Sequence, residues 1–153
     1  MKQFKLTSAL AAIVLAGCAA SPDNGNANPP DGGSSGKRVP GIIDFYGEPV
    51  RVTVPGATEA GEPFAVTVVT YGGGCTEKGE ATVMVEALRA EVSPYDYDTS
   101  APQLDCDDML RVYEHTVTVI FEETGTAEIV FLGQKEDSSG VTQTTVTRTL
   151  EVR

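Results

Sequence analysis

Residues 117–133 read VTVIFEETGTAEIVFLG, and their spacing decides the fold class. Val117, Val119 and Phe121 alternate with Thr118 and Ile120, and Ala127, Ile129 and Phe131 alternate with Glu128 and Val130. Successive side chains of a strand point to opposite faces, so a period of two gathers each apolar set on one face. Between the runs, Glu122 to Thr126 makes a corner in which Gly125 is free to take a positive φ. The expectation is two consecutive strands whose Val119, Phe121, Ile129 and Phe131 point into a common core.

Outward from that stretch the same alternation recurs. Val50, Val52 and Val54 form one run, Phe64, Val66 and Val68 a second, and Val83 and Val85 a third. A short run covers Leu88 to Val92, and a threonine-rich one covers Val141 to Val152. Pro55-Gly56, Glu62-Pro63, Gly72-Gly73-Gly74 and Ser138-Ser139-Gly140 supply turns, and no long stretch has a helical period. The reading is an all-β domain over residues 41–153, with seven strands arranged as an immunoglobulin-like β-sandwich. Residues 117–133 resemble the late strands of bacterial immunoglobulin-like and fibronectin-like domains, where a strand ends in Phe and a Gly turns the corner. That likeness is architectural and implies no function. The chain has no Trp, and the Cys pair lies outside the strands, unlike antibody domains. Arg148 shares parity with Val146, Leu150 and Val152, which calls for a bulge or an edge position.

The amino-terminal segment carries an address. Lys2 and Lys5 precede an uncharged stretch from Leu6 to Ala16, too short for the roughly 20 apolar residues of a spanning helix. Charge, short apolar run and small residues in that order mark a secretory signal peptide. It ends in Leu15-Ala16-Gly17-Cys18, which resembles the lipobox of bacterial lipoproteins. The resemblance implies a signal peptide over residues 1–17, cleavage after Gly17 and lipid on the Cys18 thiol. A single acyl chain binds a membrane marginally, whereas two or three hold it firmly. Ala19 stands where an Asp would resemble an inner-membrane retention signal, so the outer membrane is the expected address in a diderm. Residues 18–40 then read as the acylated Cys and a disordered tether. Their Pro, Gly, Asn and Ser cannot bury enough surface to offset ordering entropy. A flexible tether of this length spans roughly 25 Å.

Eleven Lys and Arg stand against 22 Asp and Glu, for a formal charge of −11. No basic face is available to neutralise phosphates, so nucleic acid is excluded as a partner. With Cys18 taken by lipid, Cys75 and Cys106 remain as an even pair, read as a disulfide in an oxidising compartment. The alternative of a metal or redox pair lacks a Cys-x-x-Cys spacing, and His115 is the only imidazole.

Candidate chemistry concentrates between Ser93 and Met109, read as a loop. Asp96, Asp98, Asp105, Asp107 and Asp108 crowd it, and clustered carboxylates are how proteins hold calcium. Asp96, Asp98 and Ser100 fall on positions one, three and five of an EF-hand loop. Ala101 stands where the turn wants Gly, and Asp107 where a bidentate Glu belongs. The plainer reading is a solvated acidic loop. Tyr95 and Tyr97 either cap the sandwich or form a recognition surface with the carboxylates. His115 reads as a structural histidine hydrogen-bonded at a strand end, since no nucleophile motif accompanies it. The expected function is a membrane-anchored lipoprotein of the cell envelope, facing the periplasm or the outside, with a non-enzymatic binding or structural module. It needs no cofactor beyond its covalent lipid, and its partner would be an envelope protein or a glycan. A calcium-dependent adhesion or carbohydrate-binding module using residues 96–108 is the alternative. A small envelope hydrolase is the third.

Overall fold

Alternating apolar side chains and frequent turns leave the chain no way to bury itself except as paired strands. The computed structural model describes residues 36–153, and among them there is no helix. Cys18, the signal peptide and most of the tether lie outside the described residues. Ten strands form: β1 (Lys37–Pro40), β2 (Ile42–Phe45), β3 (Val52–Thr53), β4 (Ala57–Thr58) and β5 (Phe64–Gly72), followed by β6 (Thr76–Glu86), β7 (Arg89–Asp98), β8 (Arg111–Val119), β9 (Gly125–Asp137) and β10 (Gly140–Val152).

All ten belong to one hydrogen-bonded, curled sheet. One side runs β6–β7–β9–β10, with β4 added at the end of β10. The other joins β8 to β5 and β5 to β3. The short strand β2 lies between β9 and β5 and links the two sides. The sheet is mixed, because β2 and β7 run parallel to β9, and β4 parallel to β10.

The core lies inside the curl. Val66 and Val68 of β5 and Val119 of β8 meet Val92 of β7, Ile129 and Phe131 of β9, and Leu150 and Val152 of β10. Ile43 of β2 and Phe121, just beyond β8, complete it, and both are fully buried. The period-two reading of residues 117–133 thus places Val119, Phe121, Ile129 and Phe131 correctly. Thr118 is exposed on the opposite face, and Ile120 there is 40% exposed. Gly125 takes φ +141°, a backbone conformation that side chains disfavour. Arg148 is exposed, and β10 keeps a regular register with β9 through it. Only Glu151 and Val152 of β10 have a partner on the other side, so Arg148 occupies an edge rather than a bulge.

The sheet has ten strands where seven were expected. The additions are β1, β2 and β4, all four residues or shorter. Too few residues lie in each for alternation to register, and each exists because a longer strand offers an unpaired edge. Lys37–Pro40, assigned to the tether by composition, is instead a strand paired antiparallel with Tyr95–Asp98. The run at Val50–Val54 shrinks to Val52–Thr53. The run begun at Leu88–Val92 grows into the ten residues of β7, so Ser93–Asp98 is strand and not loop. Pro94 is tolerated there because the β6–β7 register shifts between Lys78 and Ala81, where the ladder is interrupted.

Candidate functional site

Three polar side chains point into the core. On β5, Thr70 shares the inward parity of Val66 and Val68, and on β8, His115 shares that of Val117 and Val119. Val92, Pro94 and Asp96 form the buried face of β7. In the antiparallel β5–β8 ladder Val68 lies opposite His115 and Thr70 opposite Tyr113, so Thr70 and His115 are diagonal neighbours. His115 Nε2 lies 3.0 Å from Thr70 Oγ1 and 3.2 Å from Asp96 Oδ1. Thr70 is 0% exposed, and His115 and Asp96 are each 2% exposed. Gly41 packs over the cluster, donating its N–H to Pro94 O at 2.9 Å. A Cβ at Gly41 would collide with the Thr70 side chain, so the close approach requires glycine.

A carboxylate can only accept, so Nε2 carries the proton that meets Asp96. Asp96 Oδ2 and His115 Nδ1 have no protein partner among the described residues. A nucleophile–imidazole–carboxylate relay uses both ring nitrogens, one for each partner. Here hydroxyl and carboxylate converge on the same nitrogen, in side chains buried from bulk solvent, so the geometry is that of a core clasp. It ties three strands, β5, β7 and β8, at one point. His115 is hydrogen-bonded as expected, although it lies within β8 and not at the strand's end.

The acidic residues read together from sequence do not form one group: Asp107 and Asp108 line a cleft with Glu136, and Asp96 and Asp98 belong to β7. Asp96 is in the core, and Asp98 ends β7, where its Oδ1 accepts the Ser100 N–H at 2.9 Å. The Ser100 side-chain and backbone hydrogen bonds hold the Asp98 carboxyl below the usual carboxylate range. Asp107 accepts from Met109 N–H and from Arg111, at 3.3 and 3.2 Å. Among the described residues no three His, Cys, Asp or Glu side chains group as a metal site. Tyr95 and Tyr97 point outward from β7. The Arg38 guanidinium lies 3.5 Å from the Tyr95 ring centroid, and the Tyr97 hydroxyl donates to Glu80 at 3.0 Å.

No family model, no curated protein and no solved structure matches the chain.

The disulfide side holds the more accessible features. Cys75 follows the glycine turn after β5 and bonds Cys106 in the segment after β7, with Cα atoms 5.1 Å apart. Thr99 N–H and Oγ1 both donate to Cys75 O at 2.9 Å, and Gly74 N–H donates to Asp107 O at 3.2 Å. These bonds pin residues 99–110 beside β6. Next to them a cleft of about 380 Å³ opens between Ile42, Phe45, Gly72, Gly73, Met109 and Leu110. Met109 and Leu110 are 67% and 49% exposed. The sequence carried signals for both regions. Inward parity at Thr70 and His115 announces a buried polar pair that must find partners, whereas Asp96 becomes legible only once β7 extends past Val92.

Proposed function

We propose that the chain is a cell-envelope lipoprotein, held at the membrane through lipid on Cys18, whose β-domain is a non-enzymatic binding or structural module. The observation that carries the reading is Leu15-Ala16-Gly17-Cys18 behind a short apolar run. The Cys75–Cys106 pairing supports it, since disulfides persist in oxidising compartments. Support for a binding role comes from the cleft beside Met109 and Leu110, in contrast to a polar cluster sealed in the core. The domain is proposed as an immunoglobulin-like sandwich. Its β6–β7–β9–β10 layer faces the β8–β5–β3 layer across a shared core, the arrangement that stacked sheets require. An envelope protein or a glycan is the proposed partner, and the outer membrane the proposed address in a diderm.

Mass spectrometry of the amino-terminal peptide, with detergent phase partitioning of the full chain, tests the anchor. The expected result is a mature chain beginning at an acylated Cys18 and partitioning into detergent, with Cys18→Ser remaining in the aqueous phase. An unmodified Cys18, or cleavage elsewhere, overturns the reading.

A further inference from the structure

The outer face of β7, β9 and β10 holds a second concavity of about 230 Å³, separate from the disulfide-side cleft. Strand register explains it. β7 pairs with β9 only as far as Val92–Phe131, and with β1 only from Tyr95 onward, so the sheet splits at Ser93–Pro94. Gly41 closes the floor of the split, donating its N–H to Pro94 O and accepting the Gln134 N–H, both at 2.9 Å. These two bonds satisfy the main chain at the floor, so a ligand there would meet mainly side chains. Inward parity at Val92, Phe131 and Val146 turns Ser93, Tyr95, Leu132, Gln134, Gln143 and Thr145 outward together. Gln134 and Gln143 lie directly opposite each other in the β9–β10 ladder.

Two properties set this surface apart. Every residue lining it is uncharged, in a chain whose residues are 22% charged and whose net charge is −11. Its polar side chains are also unspent: no hydrogen bond within the described residues uses the amides of Gln134 and Gln143 or the hydroxyls of Ser93 and Thr145. Each Gln offers donors and an acceptor in one plane, which suits neighbouring hydroxyls that both donate and accept. Tyr95 and Leu132 supply apolar contact. The Tyr95 ring is held in advance, because Arg38 lies against it and pairs with Glu80.

We propose that this groove binds one ring of a neutral, polyhydroxylated ligand, a sugar unit of a glycan. An anionic or cationic ligand would find no counter-charge in the lining. An extended peptide would add to a strand edge, whereas these side chains project from a face of the sheet. The volume falls below the roughly 300–1,000 Å³ of pockets for drug-sized ligands, which fits a single ring. The inference rests on the binding-module reading but is independent of the anchor. A failed detergent partition leaves the groove untouched, and a failed sugar titration leaves the acylated Cys18 untouched.

The test is titration of the ¹⁵N-labelled full chain in detergent with two neutral probes, tetra-N-acetylchitotetraose and maltotetraose, followed by NMR. Expected are saturable shifts at Ser93 and Tyr95 and at the side-chain amides of Gln134 and Gln143 with at least one probe. Binding should weaken about tenfold or more in Gln134→Ala/Gln143→Ala, while the wild-type melting temperature is retained. The proposal is overturned if neither probe shifts these signals at about 10 mM, or if the shifts cluster at Met109 and Leu110. Equal binding by the double variant also overturns it.

Discussion

Removing the Asp96 carboxylate should unlock the core. In Asp96→Ala, His115 Nε2–H keeps only Thr70 Oγ1, at 3.0 Å, and loses the carboxylate 3.2 Å away. Both side chains are 1–2% exposed, so bulk solvent does not reach the site to replace the missing partner. Breaking a buried pair by deleting one member costs about 3–5 kcal/mol, because the survivor stays desolvated. A domain of this size holds about 5–15 kcal/mol in all, so Asp96→Ala should forfeit a large share of the total. In thermal terms the loss corresponds to roughly 10–20 °C, between the sensitivities of smaller and larger domains. Urea denaturation of wild type, Asp96→Ala, His115→Ala and the double variant forms the assay. The double variant should lose less than the sum of the single losses, by about 1–3 kcal/mol, since it leaves neither polar group stranded. A loss below about 1 kcal/mol for Asp96→Ala, or strict additivity, would refute the clasp and mean that the pair contributes packing alone.

Phe131 is fully buried, so Phe131→Ala should cost about 3–5 kcal/mol in a denaturant melt, whereas exposed Thr118→Ala should stay within about 0.5 kcal/mol; equal losses would mean that the faces are wrongly assigned. Ala87, in the two-residue turn between β6 and β7, has φ +49°, so Ala87→Gly should raise stability by about 1 kcal/mol, and a lowered melting temperature would contradict this. Reduction of the Cys75–Cys106 bridge releases a loop with a sequence separation of 31 and should cost about 3–4 kcal/mol on the chain-entropy model. Thiol labelling of exported protein should find both groups only after reduction. The Ser139 side chain and backbone lower the Asp137 carboxyl to about 2, with Lys135 assisting. Its contribution to stability is therefore present above the ordinary Asp pKa near 4 and lost as pH falls through about 2. In Ser139→Ala an NMR titration should find the Asp137 midpoint moved up toward 3.8, and an unmoved midpoint would falsify the assignment.

What the sequence determined by itself is whatever rests on neighbours a few residues apart. The inward faces of β5, β8 and β9 follow from alternation, because a strand turns each side chain 180° from the last whatever its partner. The Gly125 corner and the edge position open to Arg148 follow from equally local constraints. The expectation that Cys18 is taken by lipid left Cys75 and Cys106 as a pair, and the fold brings these two together. Tertiary structure decided the rest. β1, β2 and β4 carry too few residues to announce themselves, and they are strands because β7, β5, β9 and β10 present open edges to them. Pairing on both edges, with Thr76–Lys78 of β6 and with Lys37–Pro40 of β1 more than 50 residues away, turned an apparent acidic loop into the strand that buries Asp96. Asp96, read from sequence as part of a solvated acidic loop with calcium as the alternative, thereby became the counterpart of His115. The outer groove arises from the same event, at the point where β7 exchanges β9 for β1. Hydrogen-bond partners remote along the chain leave no periodic trace in it, so pairing, and every site built on pairing, belongs to the fold.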